Sequence, residues 1–335
     1  MRFTLITFAT TLAFLATATA ARAQDIQERT IKFGHLNNTD HPTSTGVKKF
    51  AELVAAKSGG KIKVQEYPSS QLGNELQQQS ALVGGVQEML VASTTSLAGV
   101  VKEFGLLDFP FLFSNARQAD AMVDGPLGKA LSARLADKGI IGLGYWELGF
   151  RNLSNSRRAI NTVDDIAGLK LRVIPNAINV DWVKALGANP TPMAFPEVYA
   201  GLESKAIDGQ ENPLSVIQAN KFFEVQKYLT LTNHQYNPQS VLISKKFWDT
   251  LSAAEKKILE EATLESAKFQ REQARGQVAA AIDNMKKNGM QVNELSPAEL
   301  GKFVEKMKPV ISKHAQTIGA ETVNELLAEL AKARR

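Results

Sequence analysis

From about Ser252 to Asn288 the chain is nearly continuous in helix-forming residues, with Gly276 as the only interruption. At 1.5 Å per residue, these roughly 37 positions make a rod of about 55 Å. A compact domain of 150 residues is only about 40 Å across. A straight helix of that length has to span two domains, and a pair of helices broken near Gly276, the alternative reading, would still touch both. The chain of 335 residues is long enough for two domains, and 44% hydrophobic with 22% charged residues is the composition of packed chains, not disordered ones.

Ahead of this spine, strand-like and helix-like segments alternate, the pattern of α/β layers around mainly parallel sheets. A first block reads as strands at 29–35, 61–67, 88–93 and 140–148, with a helix from about Thr43 that stops at Gly59-Gly60. A second block repeats the style with strand LKLRVI, a helix around 177–187, strand-like NPTPM, a helix near 196–204, and AIDGQEN before Pro213. YLTLTNH (228–234) and SVLIS (240–244) read as strands connecting the blocks.

The first 23 residues differ from the rest. An apolar stretch from Phe3 to about Ala18 leads to Ala21-Arg22-Ala23, the small-x-small pattern of a signal-peptidase site, so a periplasmic mature chain starting at Gln24 is expected. There is no Cys to carry a disulfide or a lipid anchor. Without Arg2 and Arg22, 37 basic residues face 34 acids, a net charge of +3. The basic residues are interspersed with acids rather than striped with aromatics, so no nucleic-acid partner is expected.

No catalytic constellation stands out. His35, His41, His234 and His314 form no close metal-ligand spacing, although His35 and His41 share one loop. A nucleophile elbow, a P-loop and a dinucleotide fingerprint are all missing. Asp208 and Glu211 in DGQEN can be read as an acid/base pair or as residues that hold a loop by hydrogen bonds. We expect no catalytic residue, no metal and no cofactor.

One residue is out of place. In GLKLRVIPNA, residues 168–177, the apolar run bounded by Gly168 and Pro175 reads as a covered strand, yet it contains Arg172, whose guanidinium cannot shed its charge when buried. From the strand alone, a salt bridge to an internal Asp or Glu is the natural partner.

The stretches RRAINTVDDIAGLKLRVIPN, NPTPMAFPEVYAGLESKAIDGQENP and KFFEVQKYLTLTNHQYN, with YPSSQLGNE and KEFGLLDFPFLF ahead of them, together resemble the DctP-type solute-binding subunit of TRAP (tripartite ATP-independent periplasmic) transporters over essentially the whole mature chain. The resemblance implies an α/β, bilobed periplasmic-binding-protein-like fold: two α/β domains, a ligand cleft between them and a long helix spanning both. It implies a monomer that closes on a small-molecule carboxylate and hands it to the small and large TRAP membrane subunits. With it we expect a first domain of 24–148 plus about 237–275, and a second of 149–236 plus about 276–335.

By the same resemblance Arg172 grips the ligand carboxylate, a role that suits two parallel guanidinium donors. Arg151 in GFRN matches a second arginine, for which ordinary interdomain pairing is the competing reading. Asn212 matches a frequent ligand contact and Phe195 an aromatic that packs on the ligand. Asn176 is offset by one residue from the family pattern. Asn74, with Ser93 and Thr94 of the STTS run, would meet a polar ligand from the first domain; His35, Asn37, Trp146 and His234 are wall candidates. Sialic-acid-binding relatives carry a Glu and an Arg where this chain reads VASTTS, which argues against that ligand. Arginines, hydroxyls, amides and aromatic walls suit a sugar acid, a hexuronate or an aldonate. A C4-dicarboxylate or 2-keto acid is the competing ligand, and a periplasmic sensor module or exported enzyme the competing class.

Overall fold

The structure, a computed structural model, describes residues 26–333. The expected signal peptide and the start of the mature chain lie outside the described residues. One nine-stranded sheet organises the fold: β1 (Arg29–His35), β2 (Ile62–Tyr67), β3 (Met89–Ser93), β4 (Ile140–Asn155), β5 (Lys170–Val173), β6 (Asn189–Pro192), β7 (Gly209–Pro213), β8 (Tyr228–Ser244) and β9 (Gln291–Glu294), in spatial order β2-β1-β3-β8-β4-β7-β5-β6 with β9 beside β8. The pairs at the two flanks, β1 with β2 and β3 and β5 with β6 and β7, are parallel, as the alternating pattern implies. The centre departs from the mainly parallel expectation: β3–β8, β8–β4 and β4–β7 are antiparallel.

The long central strands make the molecule bilobed. β4 and β8 pair from Ile140↔Ser244 to Asn155↔Tyr228, about 50 Å of shared ladder at 3.3 Å per residue, so each runs through both lobes. The sequence pattern predicts a strand ending at 148 and two separate strands at 228–234 and 240–244, where the structure has two continuous ones, although a proline lacks the N–H that a ladder needs. Pro238 is tolerated because it stands opposite Glu147, beside the register shift at Glu147/Gly149 where the ladder is already interrupted. Gly149 takes φ +124 at that shift, a conformation that disfavours any side chain.

The helices that matter here are α1 (Pro42–Lys57), α2 (Glu75–Gly84), α3 (Ala116–Val123), α4 (Pro126–Arg134), α5 (Ala177–Ala185), α6 (Leu214–Ala219), α7 (Ala253–Gly276), α8 (Val278–Lys287), α9 (Pro297–Ile318) and α10 (Ala320–Ala333). The long run of helix formers is two helices meeting at Gln277: α7 starts at a Ser252–Glu255 capping box and packs on α1 and β4, and α8 packs on α6. In place of the expected single long helix the structure has the alternative, a pair broken just after Gly276, and the pair touches both lobes.

Each lobe buries its own core. In the first, Ile31, Phe33, Phe50 and Trp146 pack under α1 and α7, and a second cluster gathers Phe104, Leu106 and Met122. In the second lobe, Leu171, Val173, Trp182 and Phe303 form one cluster and Val198, Phe222 and Met285 another. The C-terminal helix α10, expected with the second domain, buries Leu326 and Leu330 against the first-lobe helices α3 and α4. No helix among the described residues is long and apolar enough to cross a membrane.

Candidate functional site

A pocket lies between the lobes. Leu36, Asn37, Asn74, Glu75 and Ser96 contribute from the first lobe, Leu148, Arg151 and Gln239 from the crossing strands, and Arg172, Phe195 and Asn212 from the second lobe.

Strand geometry explains the arginine in the apolar run. Successive side chains on β5 point to opposite faces, so Leu171 and Val173 enter the second-lobe core while Arg172 points the other way, to the pocket. Only 2% of Arg172 is exposed. Its Nε donates to the carbonyl of Met193 (3.0 Å), and its Cζ lies 5.9 Å from the centroid of the Phe195 ring, a cation–π distance. Its buried Nη1 has no partner among the described residues. Burial, and then the like charge of Arg151, lower Arg172 to about 10, still protonated in neutral solution. A buried cation with an unspent donor is the feature a ligand carboxylate satisfies.

Arg151 stands in the same wall in a different state. Its Nε donates to Glu211 Oε2, its Nη2 to Glu211 Oε1 (2.7 Å) and to the Glu211 carbonyl (2.5 Å), and its Nη1 to Asn237 Oδ1 (3.0 Å). Four of its five N–H donors are thereby spent and one remains; Glu211 lies in the same expected domain as Arg151, so this ion pair is not the interdomain pairing weighed from the sequence. Burial alone would lift the Glu211 carboxyl, but the charge and bonds of Arg151, with His234 behind it, hold it at about 2. Glu211 sits in the middle of β7 rather than in a loop, and its carboxylate is committed to Arg151 on β4.

Of the ten other expected residues, four line the pocket and six do not. Asn212, Phe195, Asn74 and Asn37 line the pocket with the two arginines. Asn212 is held by its bond to Gln210 Oε1 (2.5 Å). Asn74 spends its side-chain oxygen capping α2 on the Gln77 N–H (3.0 Å), which leaves its NH₂. The remaining six lie elsewhere. Ser93 exchanges hydrogen bonds with the Asn237 amide, and Thr94 donates to the Pro238 carbonyl (3.2 Å). Asn176 caps α5 and donates to Thr95 O (3.1 Å) and Asp108 Oδ2 (2.9 Å), bridging the lobes behind the pocket. His35 is buried against Glu66 (2.9 Å). Trp146 packs on Phe33 in the first-lobe core. His234 sits between Trp182 and Phe303, with Nε2 3.4 Å from Glu211. Each is a polar or aromatic side chain whose internal partners sequence reading could not see.

Beside apolar lining such as Leu36, Leu148 and Ile174, three polar pocket residues were missing from the expected set. Ser96 belongs to the STTS run, three positions past Ser93. Gln239 shares a face of β8 with Asn237, a period-2 spacing that flags it; its Oε1 accepts from Thr43 Oγ1 (2.8 Å), leaving the NH₂. Glu75 follows Asn74 in the first turn of α2 and accepts the Ser93 N–H (2.8 Å). Burial pushes the Glu75 carboxyl up, while that bond and the charges of Arg172 and Arg151 pull it back.

The known proteins similar to this chain are solute-binding proteins. The family described as "Bacterial extracellular solute-binding protein, family 7" matches residues 33–317. The 2,3-diketo-L-gulonate-binding periplasmic protein of Escherichia coli is 37% identical over 279 residues, 83% of this chain and 85% of that one. The C4-dicarboxylate-binding periplasmic protein DctP of Rhodobacter capsulatus is 35% identical over 320 residues, 95% of each chain. Among solved structures, the sugar acid binding protein DctPAm of Advenella mimigardefordensis in complex with galactonate superposes with a TM-score of 0.91 at 45% identity, covering 92% of this chain and all of that one.

Proposed function

The chain belongs to family 7 of the bacterial extracellular solute-binding proteins, the DctP family of TRAP transporters, and from that premise we propose that it captures a sugar acid in the periplasm. It works as a monomer, closes two hinged lobes over the ligand and delivers it unaltered to the membrane subunits. The first lobe takes 24–148, about 237–275 and α10; the second takes 149–236 and about 276–318. The observation that carries the reading is Arg172, a buried cation with an unspent donor in the wall between the lobes.

The rest of the wall supports a hydroxylated ligand. The Glu75 carboxylate accepts from a hydroxyl and repels a second carboxylate, and the NH₂ groups of Asn74 and Gln239 donate to hydroxyl oxygens. Two of the relatives above, those for diketogulonate and galactonate, carry sugar acids in their names. A C4-dicarboxylate is the second reading, favoured by the one N–H that Arg151 keeps and by the Rhodobacter relative.

A thermal-shift and calorimetric screen of galactonate, galacturonate, diketogulonate, succinate and malate tests this, because a ligand that binds only the folded state raises the midpoint by mass action. Preference for the sugar acids, with the ligand recovered intact by mass spectrometry, supports the proposal. Preference for succinate or malate selects the second reading, and a chemically altered product overturns binding without turnover.

A further inference from the structure

The two lobes also touch beside the pocket, outside its lining. His41 precedes α1 in the first lobe, fully buried. Its Nδ1 accepts the Thr43 N–H (3.1 Å) as the cap of α1. With Nδ1 accepting, the ring proton sits on Nε2, which lies 3.1 Å from Ser215 Oγ on the second-lobe helix α6. The Ser215 hydroxyl donates in turn to the carbonyl of Leu148 (3.4 Å) on the crossing strand β4, which leaves its lone pair to His41. Beside it, the Asn38 amide donates to the Ala219 carbonyl at the far end of α6. Burial, and then the charge of His35, hold His41 near 3, so the imidazole is neutral and keeps this one donor and one acceptor.

None of His41, Asn38, Ser215 and Ala219 lines the pocket, yet Asn37 and Val216, which do, stand next to Asn38 and Ser215 in the chain. The bonds join the first lobe to α6 and exist only while the lobes are together. We propose that His41 and Ser215, with Asn38, form a clasp beside the pocket that sets how long a captured acid stays. They are positioning residues: they act on the closed state and not on the ligand. This rests on the reading of the pocket as a ligand cleft that closes.

The test is stopped-flow binding of galactonate, galacturonate and succinate, each to the parent, Ser215→Ala, Asn38→Ala and Ser215→Thr. When the cleft is closed, Ser215→Ala strands a buried His41 N–H that water can reach when it is open. Release should be roughly 5- to 100-fold faster for every acid the parent binds, from the 1–3 kcal/mol of an unmet buried donor. Association rates and the ratio of affinities between acids should stay as in the parent, and Ser215→Thr, which keeps the hydroxyl, should restore slow release. A parent that binds none of the acids overturns the ligand reading and the clasp with it. A parent that binds, with release from Ser215→Ala unchanged, overturns the clasp alone. So does a variant whose only change is a lower unfolding midpoint, or one whose affinity ratio between acids shifts.

Discussion

Arg151 and Arg172 stand in the wall of one pocket, and only Arg151 is paired: it is enclosed by Glu211 and Asn237, while Arg172 makes one side-chain bond, to the Met193 carbonyl. Two like charges in one low-dielectric wall repel, and Glu211 offsets one of them. The arrangement separates a structural arginine from one held ready for a carboxylate, and the predictions follow that division.

Glu211→Gln should destabilise the protein by roughly 3–5 kcal/mol, because it strands a buried guanidinium. The folded Glu211 carboxyl is held at about 2 against an ordinary 4.5, so the stability it contributes is present above about 4.5 and is lost as the pH falls through about 2. Denaturant unfolding of parent and variant between pH 7 and pH 2 should show a gap that is constant near neutrality and narrows on the acid side. A gap independent of pH would contradict the ion-pair account.

Part of the fold and of the site was legible in the sequence, though not the division between the two arginines, both of which were expected on the ligand. Arg172 betrayed itself as a charge in an apolar strand, and the run from Ser252 to Asn288 announced two lobes before any strand was paired. Partnership was not legible. Ser93, Thr94 and Asn176 have the same chemistry as Ser96 and Asn74, and only the packing decides which amides and hydroxyls bond inward. Trp146 and His234 read as wall aromatics because burial against Phe33 or Phe303 leaves no local signature. The length of the crossing strands was not legible either: β4 and β8 continue past a register shift at Glu147/Gly149 that only their pairing reveals.

Glu75 should set selectivity. Replacing its carboxylate with the neutral amide in Glu75→Gln removes the charge that opposes a second carboxylate. The ratio of galactonate to succinate affinity should fall by roughly 10-fold or more, about 1.4 kcal/mol. Calorimetry with both acids measures it, and an unchanged ratio would show that Glu75 does not face the far end of the ligand.

Closure should be measurable in solution. A ligand that touches both lobes favours the closed state through its differential contacts. Small-angle scattering should then give a smaller radius of gyration with a bound acid than without it. An unchanged radius alongside confirmed binding would remove the hinged mechanism.

The most direct test of the account is isothermal calorimetry of Arg172→Ala and Arg172→Lys against the acid the parent binds best, with circular dichroism as the check on folding. Truncating one partner of a buried hydrogen-bonded charge pair costs about 2–5 kcal/mol, roughly a 30- to several-thousand-fold loss of affinity. The account predicts that loss for Arg172→Ala, little rescue by Arg172→Lys because an ammonium lacks the two-pronged donor, and a ligand-free fold that tolerates both changes. Parent-like affinity in Arg172→Ala, or its failure to fold, would contradict the claim that Arg172 is held for a ligand.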